Sequence, residues 1–357
     1  MAKTRSGDRR PSIHDVASRA GVSAATVSKV MQGVATVKPE NAQRVFEAIE
    51  HLGYRVDPLA SDLRRAKRRI IGAVVPEFES EFFGSLITCL EDLAERRGYA
   101  LVAASSRESE SREKEILARM HDWRVSGVVL APVRNEQGPA ATYMKEQGMT
   151  GVLIDRVLAD DVFDTVSADS AAASAQVAEA LVGRGHRHVL VLGLGEQAAT
   201  VRARLDGFRT RALKLAPDMR IDVLLAESEV DPLRASLRDY FAKGERPTAI
   251  YSLFLKGTMV ALSEFRRRGW HCPNDISLVG FDDAEWMQAT WPTIAAVVQP
   301  VRRIAAEAME MLFRRIEGDS GPPRARLEAC RVLVRESVGS PGGPHREAKD
   351  RPRVASS

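Results

Sequence analysis

The sequence lacks the features that mark membrane and exported proteins. Its 357 residues contain no apolar run that approaches the length of a membrane span, and residues 1–18 carry charges without the apolar core of a secretory signal. Cys89, Cys272 and Cys330 are far apart and odd in number, which argues against a disulfide framework and against a metal site. We therefore expect a cytoplasmic protein whose thiols are buried and inert.

Catalytic and cofactor motifs are equally scarce. Gly193-Leu194-Gly195 follows an apolar run, but it lacks the third glycine and the acidic partner of a dinucleotide-binding fingerprint. His186 and His188 lie at the entrance of a predicted strand, and we do not expect them to bind one metal ion. We expect no enzymatic activity, no cofactor and no metal site.

Charge is distributed unevenly along the chain. The net charge is +4, but residues 1–69 hold 14 Lys and Arg against 7 Asp and Glu, whereas the remainder holds 38 against 41. A basic segment joined to a slightly acidic body is typical of a polyanion-binding module fused to a second domain. The length suits about two domains.

Hydrophobic periodicity changes character near Ile70. Before it the pattern is helical, and Pro39 and Gly53 have the positions of a helix start and a C-cap. After it, short β-branched runs alternate with stretches of helical period, which predicts a doubly wound α/β architecture with parallel sheets. Ligands of such sheets bind beyond the carboxyl ends of the strands. The runs span residues 70–75, 99–104, 127–131, 151–155, 188–193, 221–225, 248–252 and 276–281.

These patterns divide the chain into segments. We predict a disordered N-terminus (1–11), a helical unit (12–57), a linker that is only marginally helical by itself (58–69), an α/β domain with room for two lobes (70–338) and a disordered Pro/Gly-rich tail (339–357).

Residues 13–30 have the pattern of a helix-turn-helix. Gly21 permits the sharp turn between the helices, and Ser23 is a natural N-cap for the second one. A structural helical hairpin would have the same core but no reason to expose a polar, basic second helix. The predicted apolar stripes consist of Val16, Ala17, Ala20, Val27 and Val30.

The second helix of such a motif enters the major groove of DNA. We expect its outward side chains to be Ala24, Ala25, Thr26, Ser28 and Lys29. Lys29 has the reach for guanine O6 and N7, Thr26 and Ser28 suit phosphates, and the alanines offer only apolar contact. Direct reading of bases by this helix is therefore predicted to be sparse.

Residues 12–65 closely resemble the headpiece of the lactose-repressor (LacI/GalR) family. That resemblance implies a homodimeric transcription regulator, in most cases a repressor, that binds a pseudo-palindromic operator. The matching residues are Ile13, Asp15-Val16-Ala17, Ala20-Gly21-Val22-Ser23, Thr26-Val27-Ser28-Lys29-Val30, Val37, Val45, Ala48-Ile49, Leu52-Gly53-Tyr54, Ala60 and Leu63-Arg64.

The resemblance also implies that the linker folds into a hinge helix on DNA and that Leu63 wedges into the minor groove. The alternative, a leucine packed against its own domain, is disfavoured by the polar, basic surroundings of Leu63. Lys29, Gln32 and Lys38 replace the family's usual Arg, Asn and small polar residue, which makes the operator sequence unpredictable. The predicted DNA contacts are Ile13, Ser23, Ala24, Ala25, Thr26, Ser28, Lys29, Gln32, Leu63 and Arg64.

Over residues 70–337 the resemblance continues with a two-lobed periplasmic-binding-protein-like core, which implies effector binding and dimerisation. Arg204 and Asp282 stand where sugar-sensing relatives hydrogen-bond their ligand. Aromatic rings would supply flat faces for a sugar, with packing in the core as the alternative for each, and Trp291 is a further candidate. The predicted effector contacts are Phe82, Phe83, Asp155, Arg156, Arg204, Phe254, Asp282 and Trp286.

One departure concerns the predicted cleft wall, where Phe254-Leu255 replaces the family's usual Asn-Asp. The loss of both polar groups changes the preferred ligand or removes the effector role altogether. Two alternatives therefore stay open. One is a constitutive DNA-bound repressor with a non-sensing cleft, and the other is a solute-binding protein, which residues 1–65 disfavour.

Overall fold

The computed structural model describes residues 11–31, 37–53, 69–134, 138–156, 160–194, 199–226 and 230–342. The described residues before Arg69 form one compact unit, and those from Arg69 onward form a second. Most of the predicted N-terminus, linker and tail lies outside the described residues. The same holds for three predicted DNA contacts, Gln32, Leu63 and Arg64. Their roles stay predictions.

In its described part, the first unit contains helices α1 (Ile13–Ala20), α2 (Ala24–Met31) and α3 (Pro39–Leu52). Gly21 follows α1 at a φ of +64° and Gly53 follows α3 at +59°, and both donate their N–H groups to the preceding turn. The core consists of Val16, Ala17, Ala20, Val27, Val30, Val45 and Ala48, which confirms the predicted apolar stripes.

The strands of the second unit are β1 (Ile70–Val75), β2 (Ala100–Ser105), β3 (Gly127–Leu130), β4 (Gly151–Ile154), β5 (Asp164–Ala168), β6 (His188–Leu194), β7 (Arg220–Ala226), β8 (Ala249–Ser252), β9 (Ser277–Phe281), β10 (Ala295–Val298), β11 (Ala325–Glu328) and β12 (Arg331–Leu333). They form two six-stranded sheets in the orders β11-β5-β4-β3-β1-β2 and β12-β10-β9-β8-β6-β7. The neighbouring strands are parallel except for β12, which is antiparallel to β10.

Helices cover both faces of each sheet. They are α4 (Glu81–Arg96), α5 (Glu110–Asp122), α6 (Pro139–Glu146), α7 (Ser170–Gly183), α8 (Ala199–Leu215), α9 (Val230–Ala242), α10 (Leu255–Arg268), α11 (Trp286–Ala289) and α12 (Val301–Ile316). One core cluster packs α5 and α6 on the first sheet, another packs α9, α10 and α11 on the second, and a third, larger cluster joins α4, α7, α8 and α12 to the remaining faces. The doubly wound prediction is confirmed.

The chain passes between the two lobes at three points. It leaves the first sheet after β5, returns after β10 through α12, which packs on the first sheet, and crosses again between β11 and β12. All eight predicted runs lie on strands of the structure. The strands β5, β10, β11 and β12 were not predicted. Of these, β5, β11 and β12 are short and have little hydrophobic pattern of their own, whereas the apolar run of β10 was recognisable.

Candidate functional site

The start of α2 is shaped by its N-cap. Ser23 Oγ accepts the backbone N–H of Thr26 at 3.1 Å and lies 2.9 Å from Thr26 Oγ1, so the predicted cap is present and the two hydroxyls bond to each other. The hydroxyls of Ser23 and Thr26 therefore stabilise the first turn of α2, the helix that the sequence assigns to DNA binding.

The predicted DNA contacts differ in exposure. Ala25 and Lys29 are exposed, and Thr26 and Ser28 are half-buried. Ala24 was expected to point outward, but it packs partly against the headpiece core, and Ile13 does the same. Fewer of the predicted contact residues of α2 are thus fully exposed than the sequence suggested. Lys29 is the one cation among the described residues of that helix.

Polar side chains of the second unit gather where strands of both sheets end. Asp155 directly follows β4 of the first sheet, whereas Asp282 and Gln299 follow β9 and β10 of the second. The positive charge of Arg204 lowers the pKa of both carboxyls, so side chains from the two lobes lie within electrostatic range of one another here. This is the location that a parallel sheet predicts for a ligand site, and we call the region between the two lobes the cleft.

Arg204 projects from α8 and is only 7% exposed. Its Nη1 donates to the carbonyl oxygen of Leu253 at 2.6 Å, and its guanidinium lies 3.6 Å from the centroid of the Phe281 ring. Arg204 and Asp282 were each predicted to hydrogen-bond the effector. Both lie in the cleft, but they form no ion pair within 4.0 Å among the contacts of the described residues.

Asp282 has a left-handed backbone with a φ of +72°, a conformation in which Asp is among the best-tolerated residues. Its Oδ1 accepts the Nε2–H of Gln299 at 2.6 Å. Burial raises the pKa of the Asp282 carboxyl, and Arg204 and the Gln299 amide offset part of that rise. Gln299 was not predicted as a site residue, although its place after β10 was a usable signal.

Asp155 mirrors Asp282 in the other lobe, with a φ of +65° directly after a strand. Burial raises its pKa as well, and the nearest cation, Arg156 Nε, is 4.0 Å from Asp155 Oδ2. The guanidinium of Arg156 is instead committed to Glu108, which it contacts in a bidentate pair at 2.6 and 2.7 Å. Glu108 was missed, because its role depends on a turn in which Glu108 itself has a φ of +55°.

The predicted aromatic contacts are mostly part of the core. Phe82 and Phe83 are 7% and 6% exposed, belong to the main hydrophobic cluster and pack edge-to-face on each other with ring centroids 5.0 Å apart. Trp286 is half-buried on α11 against the core of the second lobe. The expectation that these rings offer an open face is corrected, since neighbouring apolar side chains already cover them. Trp291 is 91% exposed and lies in the loop after α11.

Phe254 occupies the N-cap position of α10 and packs partly against the core of the second lobe. Its carbonyl oxygen accepts the hydroxyl of Ser252 at 2.8 Å. The departure at Phe254-Leu255 therefore replaces polar groups by side chains that add to this apolar cluster.

Two histidines singled out in the sequence serve separate structural roles. His186 is buried, and its ring nitrogens contact Thr248 Oγ1 at 2.9 Å and the Gly339 carbonyl oxygen at 3.0 Å. His188 contacts Asp222 at 2.8 Å, and Glu245 lies close enough to form a metal-like group with them. Arg220 already pairs with both carboxylates, at 2.9 and 2.8 Å.

The three cysteines are free thiols. Cys330 is buried, whereas Cys89 and Cys272 are half-buried, so the prediction of three buried thiols was wrong in degree. Burial raises the pKa of Cys272 and of Cys330 to about 12, which keeps both thiols protonated at neutral pH.

Among the described residues, no helix has both the length and the apolar character needed to cross a membrane.

Two family descriptions match the chain in the places that the structure assigns to its two units. Residues 12–57 match "Bacterial regulatory proteins, lacI family", and residues 178–338 match "Periplasmic binding protein-like domain". The first range contains the helix-turn-helix, and the second contains Arg204, Asp282 and Gln299.

Similar proteins are regulators over almost their whole length. The chain is 28% identical to the HTH-type transcriptional regulator KdgR of Bacillus subtilis, over 91% of this chain and 97% of KdgR. It is 29% identical to the HTH-type transcriptional regulator PtxS of Pseudomonas plecoglossicida, over 95% of this chain and 99% of PtxS. The HTH-type transcriptional repressor PurR of Photobacterium profundum is 24% identical over 91% of this chain and 98% of PurR.

Solved structures agree on the fold. The lac repressor dimer bound to operator and the anti-inducer ONPF has a TM-score of 0.83 at 20% identity, covering 93% of this chain and 100% of the repressor chain. The transcriptional regulator CelR in complex with cellobiose has a TM-score of 0.69 at 26% identity, covering 92% of this chain and 100% of CelR.

The relatives confirm the prediction that the chain is a regulator and not an enzyme. Because residues 12–57 and 178–338 match these two descriptions and the relatives are regulators over almost their whole length, the chain combines a lacI-family helix-turn-helix domain with a periplasmic-binding-protein-like domain and is a DNA-binding transcriptional regulator.

Proposed function

We propose that the protein is a cytoplasmic repressor that binds an inverted-repeat operator as a homodimer. A hydroxylated small molecule that binds in the cleft raises or lowers its affinity for the operator. Each headpiece reads one half-site through α2, with Lys29 as the principal base-reading side chain. The similar lac repressor structure is a dimer bound to operator, and the similar CelR structure holds cellobiose, which support this assignment.

The observation that carries the effector role is the cluster of Arg204, Asp155 and the half-buried Asp282 at the strand ends. Burial of a charged group costs roughly several kcal/mol unless hydrogen bonds or opposite charges compensate for the lost water, and a ligand adds such compensation. The two lobes contribute one carboxylate each, so a ligand that bonds to both holds the lobes together. Hydroxyl groups have the donors and acceptors for this task.

The regulatory step follows from the connection between the lobes. A bound effector closes the cleft, the lobes turn about the three crossings, and the spacing between the two linkers of the dimer changes. Coupling of this kind between two sites is typically worth about 1–3 kcal/mol. Tighter operator binding in the presence of the effector would make it a corepressor, and weaker binding would make it an inducer.

Selection from a pool of random duplexes tests the DNA-binding part. The purified full chain is expected to enrich a pseudo-palindromic sequence, with two chains per duplex in sedimentation. Absence of any sequence preference at moderate ionic strength, with and without sugars, contradicts the proposal. Lys29→Arg is the matched variant that retains base reading, since both cations reach guanine.

A constitutive repressor is the second candidate, and the position of Phe254 favours it. Its ring packs on the second lobe where relatives have a polar residue, so one polar anchor for a ligand is absent. Thermal-shift measurements with sugars and amino sugars distinguish the two candidates, because a ligand that binds the folded state raises the melting temperature. Intact operator binding with no shift from any ligand supports the constitutive repressor.

A further inference from the structure

Two hydrogen-bond acceptors of the cleft lack a donor among the described residues. The carboxylate of Asp155 accepts no hydrogen bond from the described residues and has its nearest cation at 4.0 Å. Gln299 Oε1 is buried and has no hydrogen-bond partner in the described part of the chain, because the Nε2 of the same amide donates to Asp282. Unpaired buried acceptors are costly, so a ligand that donates to them is favoured.

The cations near the cleft are already committed. Arg156 forms its bidentate pair with Glu108, Arg335 pairs with Asp283 at 2.6 and 2.7 Å, and Lys256 Nζ lies 3.0 Å from Glu77 Oε2 across the lobes. Arg204 donates to the Leu253 carbonyl and packs over Phe281. Among the described residues, Arg156 and Arg204 thus lower the pKa of Asp155, Arg204 lowers that of Asp282, and both guanidinium groups already donate to other partners.

Further carboxylates stand beside the same cleft. Glu81 begins α4 in the first lobe, and its pKa is raised by burial and then by Glu285, Asp283 and Asp282 of the second lobe. Neither Glu81 nor Glu285 has an ion-pair partner within 4.0 Å among the residues that the structure describes. Negative potential from both lobes thus adds up where a ligand enters.

Resting on the proposed effector role, we propose that the cleft selects neutral or positively charged ligands rich in hydroxyl or amino donors and rejects those that carry a carboxylate or a phosphate. A donor-rich ligand satisfies Asp155 and Gln299 Oε1, and an ammonium group also neutralises buried carboxylates. The carboxylate or phosphate of an anionic ligand cannot donate to either acceptor and adds a like charge in a low-dielectric site.

Matched sets of sugars test this charge selection in the full chain. Each set contains a neutral hexose, its 2-amino form and its uronate, for example D-glucose, D-glucosamine and D-glucuronate, with galactose and mannose as further skeletons. Calorimetric titration at constant ionic strength is expected to show binding of the neutral or amino member. The uronate of the same skeleton should bind at least about tenfold more weakly, which corresponds to about 1.4 kcal/mol. Equal or tighter binding of a uronate overturns the inference.

Asp155→Asn links the selection to a named charge. Asn tolerates the left-handed backbone at this position and keeps the carbonyl acceptor, so the fold should be retained. The ratio of neutral to uronate affinity is expected to fall about tenfold, since one buried charge is removed. Glu91→Gln, an exposed change on α4, should leave the ratio unaltered. An unchanged ratio in Asp155→Asn, with a native melting curve, contradicts the role of Asp155.

The outcomes separate this inference from the proposed function. Preference for a uronate, together with a change in operator affinity, leaves the effector role intact and removes only the charge selection. Absence of binding by every member of every set, with operator binding intact, removes the effector role and the charge selection with it.

Discussion

The headpiece and the two-lobed domain place their polar side chains in opposite environments. In the described part of the headpiece, the buried residues are all apolar, and Lys29 on the predicted reading helix is exposed. In the two-lobed domain, Arg204 and Asp155 are buried within the cleft, and Asp282 is half-buried there. Function and stability are therefore separable in the headpiece, whereas the cleft couples them. Substitutions in the two regions test this difference.

Arg204→Ala is expected to have the largest effect. It removes the buried donor to the Leu253 carbonyl oxygen, the packing of the guanidinium over Phe281 and a positive charge that lowers the pKa of Asp155 and Asp282, which should lower the free energy of unfolding by about 3–4 kcal/mol. Urea titration measures this loss. Arg211→Ala on the same helix is the control, because its pair with Glu179 is largely exposed and worth about 0.5 kcal/mol. Similar losses for both variants would show that the cleft does not depend on its buried cation.

Glu113→Gln tests a buried carboxyl of the first lobe. Burial raises the pKa of Glu113 to about 7, and the N–H of Val133, which donates to Glu113 Oε1 at 2.9 Å, offsets part of the rise. The folded state holds this proton more tightly than the unfolded state, so stability falls as pH rises from the unfolded pKa to the folded one. The variant keeps the acceptor for Val133 and lacks the titration.

Between about pH 5 and pH 8, wild type should therefore lose up to about 3 kcal/mol relative to Glu113→Gln. Urea midpoints at a series of pH values give the comparison. Glu115→Gln, an exposed change on the same helix, should follow wild type. Parallel curves for wild type and Glu113→Gln would mean that folding does not raise the pKa of Glu113.

Lys29→Ala tests the headpiece side of the comparison. Loss of an exposed base-reading cation should relax the preference at one position per half-site by about 2 kcal/mol of discrimination and leave thermal unfolding unchanged. Selection from random duplexes reads the preference, and Lys29→Arg should retain it. A lower melting temperature for Lys29→Ala would show that α2 does not separate function from stability.

Ser23→Ala is expected to have the smallest effect, about 1 kcal/mol, because it removes the side-chain cap on the N–H of Thr26. The loss should appear in the unfolding of the headpiece and not in ligand binding by the cleft. Ser18→Ala, at an exposed position within α1, should be neutral or slightly stabilising. Equal melting curves for the two variants would contradict a capping role for Ser23.

Local patterns were sufficient where short-range physics decides the structure. The turn at Gly21, the cap at Ser23 and the apolar stripes of α1 and α2 follow from helix geometry alone, and the structure has them all. The eight predicted runs were recognisable as strands because each is a short, mostly apolar stretch between segments of helical period. Ala24 was misplaced because its burial depends on how the headpiece helices pack.

The sequence by itself determined the class of this protein: a helix-turn-helix headpiece joined to a doubly wound domain, since periodicity, caps and motif spacing are local properties. Only the tertiary structure decided the chemistry of the cleft. Gln299 donates to Asp282, Arg156 forms its bidentate pair with Glu108 and lies 4.0 Å from Asp155, and Phe82 packs into the core. These contacts join residues that are far apart in the chain. Long-range packing decides which charges are paired and which remain available to a ligand, and this pairing cannot be predicted from local sequence patterns.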